Sequence, residues 1–299
     1  MDRLQTMAAF VAVLDNGGFA AAARRLGVSP PVVTRAVADL EERLGVRLFT
    51  RTTRVVRATE AGERYGLDCR RILAEIDEAD EAAAGMHAAP RGTVQITAPV
   101  LFGRLHVMPI VTAYLERYPE ADVGCLFVDR VVDLLGEGVD VGIRIGELAD
   151  SSLQAVAVGR VRRVVCAAPS YLRRHGTPRS PADLARHCVI SAAGVTPSTV
   201  WAFTRGGAAE RVAVRPRLAV SSNDSAIAAA EAGVGLTRVL SYQVAEAIDD
   251  GRLKPVLVAF EPPPVPVHVV HREGRHAVRR VRAFLDLVIA RLRADPSLG

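Results

Sequence analysis

The 299-residue sequence is short of the features that staple, span or catalyse. Its four cysteines, Cys69, Cys125, Cys166 and Cys188, contain no C-x-x-C pair, which argues against a disulfide framework and against a zinc site. No stretch approaches the roughly 18 uninterrupted apolar residues that a membrane-spanning helix needs. The start, Met1, Asp2, Arg3, lacks a basic region followed by an apolar one. Together these absences predict a cytoplasmic chain with no membrane partner. Aromatic residues make up 5%, and the 49% apolar content is carried by Ala and Val, as in a globular protein; disorder is excluded. Enzyme signatures are missing as well: there is no H-E-x-x-H, no G-x-S-x-G, no Walker-type glycine loop and no G-x-G-x-x-G after a strand. His268 and His271 lie an odd number of residues apart on a β-prone run, so with His276 they do not converge on a shared metal. No catalytic residue, metal or cofactor is expected.

Charge is present, but unevenly. The net +5 divides into +4 over residues 1–59, −5 over residues 60–89 and +6 over residues 90–299. The window from Arg43 to Thr59 holds Arg43, Arg47, Arg51, Arg54 and Arg57 with no acid, a local cationic surface.

Helical periodicity is clear at the N-terminus. Leu4, Met7, Val11 and Leu14 share one face and stop before the turn-forming 15–18 segment. A second short helix runs from Phe19 to Leu26 and closes at Gly27. Ser29 is placed to N-cap a third, with Pro30 at its first position and Val33, Val37, Leu40 and Leu44 as its buried stripe up to Gly45. Residues 46–49 and 53–57 are β-prone and read as a small hairpin, or wing, turning at 50–52. Thr59 then caps a long helix whose Tyr65, Cys69, Ile72, Ile76, Ala79, Ala83 and Met86 follow an a/d heptad seam with charged flanks. We read it as a dimerisation helix; the alternative is that the seam packs on the chain's own globular part. Residues 88–92 break it like an interdomain hinge. Beyond them β-prone runs (94–98, 123–128, 139–145, 161–167, 212–220, 265–270) alternate with helical stretches (105–118, 226–232), which predicts an α/β region with largely parallel sheets, long enough for two lobes. No internal repeat is found.

Two short helices joined by a tight turn, with a basic wing after them, form an arrangement that reads DNA: the second helix fits the major groove and the wing grips phosphates. The groove-facing group is Ser29, Pro30, Pro31, Thr34 and Arg35, with Arg51 and Arg54 from the wing. Arg35 has the donors for a bidentate contact to guanine, and Thr34 can touch a base. The wing arginines contribute affinity and salt dependence without sequence information.

The runs FAAAARRLGVSPPVVTR (residues 19–35), LEERLGVRLFTR (40–51) and TEAG (59–62) resemble the N-terminal domain of LysR-type transcriptional regulators. APVLFG (98–103), GVDVGIRIG (138–146) and APSYL (168–172) are similar to that family's effector-binding domain, so the resemblance spans the chain. It implies an α/β protein with a winged helix-turn-helix at residues 1–62, a linker helix at 60–88 pairing two subunits, and an effector domain at 93–299 with the fold of periplasmic solute-binding proteins. Its lobe I is expected at about 93–161 and 266–299, and lobe II at about 162–265. Expected partners are double-stranded promoter DNA, a small-molecule effector, further copies of the chain in a dimer or tetramer, and RNA polymerase. Mapped by resemblance, the effector cleft falls at Ala98, Pro99 and Val100, at Asp129 and Arg144, between Thr196 and Phe203, and at Ser221, Ser222 and Asn223. Three places depart from the family pattern: Pro30 stands where many members have Gln, Thr34 where they have Ser, and Pro99 where members offer a hydroxyl. Two rivals are weighed beside this reading: a cysteine redox sensor of the same family, with Cys188 foremost, and a solute-binding transport component.

Overall fold

A computed structural model of the chain describes residues 2–51, 56–83, 89–148, 153–192, 199–272 and 278–299. The N-terminal part consists of α1 (Arg3–Asn16), α2 (Phe19–Leu26), α3 (Pro30–Leu44), β1 (Phe49–Arg51), β2 (Val56–Ala58) and α4 (Glu60–Ala83). Gly27 ends α2 in the left-handed region at φ 66°, its N–H turned back to Ala23 and Arg24 carbonyls, a conformation that costs glycine little. Phe10, Val33, Val37, Leu40, Leu48 and Phe49 close one core, with the Phe10 and Phe49 rings 5.2 Å apart. Leu44, expected in the α3 stripe, is 36% exposed; the helical period instead buries Glu41.

The hairpin is shifted from its expected position. Residues 46–48 are not paired; β1 and β2 pair antiparallel with Thr50 opposite Arg57 and Arg51 opposite Val56, so Thr50 and Arg51, expected in the turn, belong to the first strand. Thr59 does cap α4, accepting the Gly62 N–H at 3.0 Å while its own hydroxyl donates to the Arg47 carbonyl at 2.8 Å. The first part of the α4 seam is used within the chain: Cys69 is fully buried and Tyr65 and Ile72 pack on the N-terminal core. This corrects the reading of the whole seam as a surface awaiting a partner. An apolar row at heptad spacing is blind to whose core it enters.

The C-terminal part continues with β3 (Gly92–Ala98), α5 (Val100–Phe102), a π-helical turn (Gly103–Val107), α6 (Met108–Arg117), β4 (Ala121–Phe127), β5 (Val141–Ile145) and β6 (Gln154–Val161). Then follow β7 (Arg163–Ala167), α7 (Pro169–His175), β8 (Val189–Ala192), β9 (Val200–Arg205), β10 (Ala208–Ala213), β11 (Pro216–Val220), α8 (Asn223–Glu231), β12 (Leu236–Leu240), α9 (Ala245–Asp249) and β13 (Lys254–Val256). The chain finishes with β14 (Val265–His271) and α10 (Arg279–Arg293). One five-stranded sheet has the order β4-β3-β5-β14-β6 and the other β11-β8-β12-β7-β13; β9 and β10 form a separate ribbon. The sheets are mixed rather than largely parallel: β14 runs antiparallel to β5 and β6, and β7 antiparallel to β12 and β13.

Two runs expected as single strands are each two. Val161 ends β6 and Arg163 begins β7, so the chain changes sheet at Arg162. The 212–220 run breaks before Pro216 and feeds both the ribbon and the second sheet. The chain returns to the first sheet after Leu257, a left-handed residue at φ 57° that is nonetheless buried. Two crossings between the sheets leave a cleft where strand ends from both meet.

Candidate functional site

At the N-terminus of α3, Ser29, Pro30, Pro31 and Arg35 are exposed, while Val33, Val37 and Leu40 on the opposite face are fully buried. The helix therefore offers its first turns outward from a rigid seat. Ser29 occupies the N-cap position in an extended conformation, but its side chain makes no capping hydrogen bond. Thr34 donates its hydroxyl to the Pro30 carbonyl at 3.0 Å, which leaves its methyl and the hydroxyl lone pairs for an outside contact. Arg35 makes no hydrogen bond or ion pair with any described residue. Arg51 ends β1, and Arg54 lies outside the described residues.

Glu41 joins helix to wing. Its Oε1 accepts the backbone N–H groups of Leu48 at 2.8 Å and Phe49 at 3.0 Å, and its Oε2 pairs with Arg47 at 3.1 Å. The carboxylate is buried. Motif reading passed over Glu41, although its spacing of four from Val37 puts it on the apolar face of α3.

In the C-terminal part, a cavity of about 530 Å³ opens between the two sheets. Ala98, Pro99, Asp129, Arg144, Ser221 and Asn223 line it, so the two mapped groups of strand ends do converge. Val100 contributes differently: its N–H donates to Asp129 Oδ1 at 3.0 Å and holds that side chain in place. Arg144 donates to the Val132 carbonyl at 2.9 Å rather than to a structural carboxylate. Two mapped residues do not reach the cavity. Phe203 is 2% exposed and packs with Trp201 in the second lobe's core, because the even-numbered face of β9 is the one turned to solvent. Ser222 turns its hydroxyl onto Ser225 Oγ at 2.9 Å at the start of α8. Thr196 lies outside the described residues.

Other lining residues escaped sequence reasoning, among them Arg130, Arg163, Tyr242 and Gln243. Arg130 is held by Glu137 through two hydrogen bonds of 2.7 and 2.6 Å. Tyr242 follows β12 in the second sheet yet packs in the first lobe's core, its ring 5.3 Å from those of Phe102 and His106. Burial pushes its phenol well above the ordinary tyrosine range, so it stays neutral at the floor of the cleft.

The arrangement is a surface-presented helix and wing on one side and a two-lobed cleft on the other. Comparison with known proteins agrees at both ends. Residues 4–63 match the model of bacterial regulatory helix-turn-helix proteins of the lysR family, and residues 87–293 match the LysR substrate binding domain. An HTH-type transcriptional repressor of Pseudomonas aeruginosa is 33% identical over 300 residues, covering 100% of this chain and 95% of its own. The HTH-type transcriptional activator AaeR of Escherichia coli K12 is 32% identical over 286 residues, covering 96% and 93%. Among solved structures, CrgA, a LysR-type transcriptional regulator from Neisseria meningitidis, superposes with a TM-score of 0.63 at 29% identity, over 98% of this chain and 99% of that one. The chain thus belongs to the LysR family of transcriptional regulators, DNA-binding proteins with a small-molecule effector domain and not enzymes.

Proposed function

We propose that residues 1–62 bind promoter DNA, residues 60–88 join two subunits, and residues 93–299 sense an effector in the cleft between lobe I (about 93–161 and 266–299) and lobe II (about 162–265). The observation that carries the DNA half is the exposed first turns of α3, with Arg35 unpartnered above a fully buried opposite face. In this reading α3 enters the major groove, Arg35 addresses a guanine edge, Thr34 and the Ser29 to Pro31 turn lie against the bases, and Arg51 and Arg54 contact phosphates. Two subunits reading one face of the duplex require half-sites about one helical turn, or a multiple of it, apart. The remainder of the α4 seam, from Ile76 onward, is what is left for a second copy in a dimer, or a tetramer of dimers, acting in the cytoplasm and contacting RNA polymerase.

The effector half is supported by the convergence of Ala98, Pro99, Asp129 and Arg144 with Ser221 and Asn223 around one cavity. A ligand held there shifts DNA binding only through its different affinity for two arrangements of the assembly, typically about 1–3 kcal/mol of coupling. For the redox alternative, burial pushes Cys69 up to about 11 and Cys166 up to about 12, away from the reactive thiolate, which leaves the half-buried Cys188 as its foremost candidate.

A footprint of the purified, ligand-free chain on its own upstream region at low salt tests the proposal. Protection of two half-sites on one face of the duplex is expected, and no protection at any site overturns it.

A further inference from the structure

Arg163 lines the cleft from the second lobe, half-buried, and neither hydrogen-bonds nor ion-pairs with any described residue. Across the β7–β12 ladder Arg163 stands opposite Leu240 and Arg238 opposite Val165, which puts the two arginines on the same side of the sheet as diagonal neighbours. Arg238 lies over the Trp201 ring at 5.0 Å and has one long hydrogen bond, 3.4 Å, to the Ala202 carbonyl. Burial and the charge of Arg163 push Arg238 down to about 10. Two partly desolvated like charges, neither ion-paired with a described carboxylate, are left uncompensated by the described residues.

We propose that the cleft takes a small organic carboxylate whose charge is met by Arg163. The inference rests on reading this cavity as the effector site. The first-lobe wall carries the acids Asp129 and Glu147 beside Arg130, which Glu137 neutralises, and Arg144, which donates to the Val132 carbonyl, whereas the second-lobe wall presents Arg163 with no acid among its lining residues, so the charged end seats against the second lobe. Asn223, in the first turn of the nine-residue α8, lines the same side, and the positive end of the helix dipole adds to the attraction. The acid in that turn, Asp224, is engaged by the Ser225 N–H at 2.9 Å. Val128, Ile143 and Leu240 line the rest of the cavity and match an apolar body, which an inorganic anion lacks.

Scanning fluorimetry and titration calorimetry of the full chain at low salt test this with benzoate and hexanoate against benzamide, hexanamide and inorganic phosphate. At least one acid is expected to raise the melting temperature and to bind roughly 10- to 100-fold tighter than its amide. Arg163→Ala removes that preference and Arg163→Lys keeps part of it; if the alanine variant does not fold, Arg163→Gln against Arg163→Lys supplies the same contrast of charge. Equal binding of acid and amide, response to phosphate alone, no response to either acid at millimolar concentration, or an acid preference that survives loss of the Arg163 charge overturns the proposal. The footprint of the ligand-free chain fails only with the regulator reading, whereas the acid-against-amide comparison fails only with the ligand class.

Discussion

The carboxylate of Glu41, in the last turn of α3, accepts the backbone N–H of Phe49 at the start of the wing at 3.0 Å. It also takes the Leu48 N–H, so two amides that no strand partner serves are satisfied by one buried side chain. The carboxylate therefore ties α3 directly to the wing beside it. The partner cation, Arg47, is 78% exposed, so the ion pair adds little and the amide hydrogen bonds hold the connection.

Glu41→Gln keeps the size but weakens both charge-assisted bonds, and Glu41→Ala leaves two buried N–H groups without acceptors. We expect losses of about 1–3 kcal/mol for each amide left unsatisfied, with the alanine variant the worse. Urea unfolding of the two variants measures it, and a transition midpoint equal to that of the unaltered chain contradicts the role.

Gly62 is where α4 crosses the wing. A Cβ at this position would stand 2.1 Å from the Leu48 carbonyl oxygen, a backbone atom that cannot step aside alone. Gly62→Ala should lower stability by about 1–3 kcal/mol despite alanine's better helix propensity. Thermal unfolding checks the sign, which propensity by itself predicts to be the opposite.

Arg35→Ala should cost about 1–3 kcal/mol of specific DNA binding and relax the preference at one base pair, with unfolding unchanged. Arg51→Ala and Arg54→Ala should instead weaken binding to all sequences and flatten the salt dependence by close to one unit of slope each. Titrations at several salt concentrations separate the two behaviours.

Iodoacetamide at neutral pH should alkylate the exposed Cys125 first and spare Cys69 and Cys166, whose thiols are buried and pushed up to about 11 and about 12. Mass mapping after brief labelling decides this; modification of Cys188 ahead of the exposed Cys125 would favour the redox alternative.

Asp183 is held down to about 2 by the N–H groups of Arg179 and Ser180. Its depressed value means that its contribution to the Ser180 turn is complete above the ordinary aspartate value of 3.8 and is lost as pH falls through about 2. An NMR titration of that side chain should show no inflection near 3.8.

The helix-turn-helix, its glycine stops, the Thr59 cap and the outward placement of Arg35 were legible from residue order, because capping, turn chemistry and the helical period act within a few residues. So were most β-prone runs and, with the family resemblance, the approximate place of the cleft. Partnership across the fold was not. Periodicity does not say that Tyr65, Cys69 and Ile72 enter the chain's own core, nor that the 161–167 run divides at Arg162 between two sheets. Glu41 reads as one more surface acid until the wing's amides arrive over it. Phe203 turned inward because of the face its strand presents. Arg163 and Tyr242 joined the cleft only because the chain crosses twice between lobes and brings their strand ends to the same opening. Local order determined the elements and their ends; the tertiary structure decided which charges are answered by other described residues and which, like Arg163, are left facing the cleft.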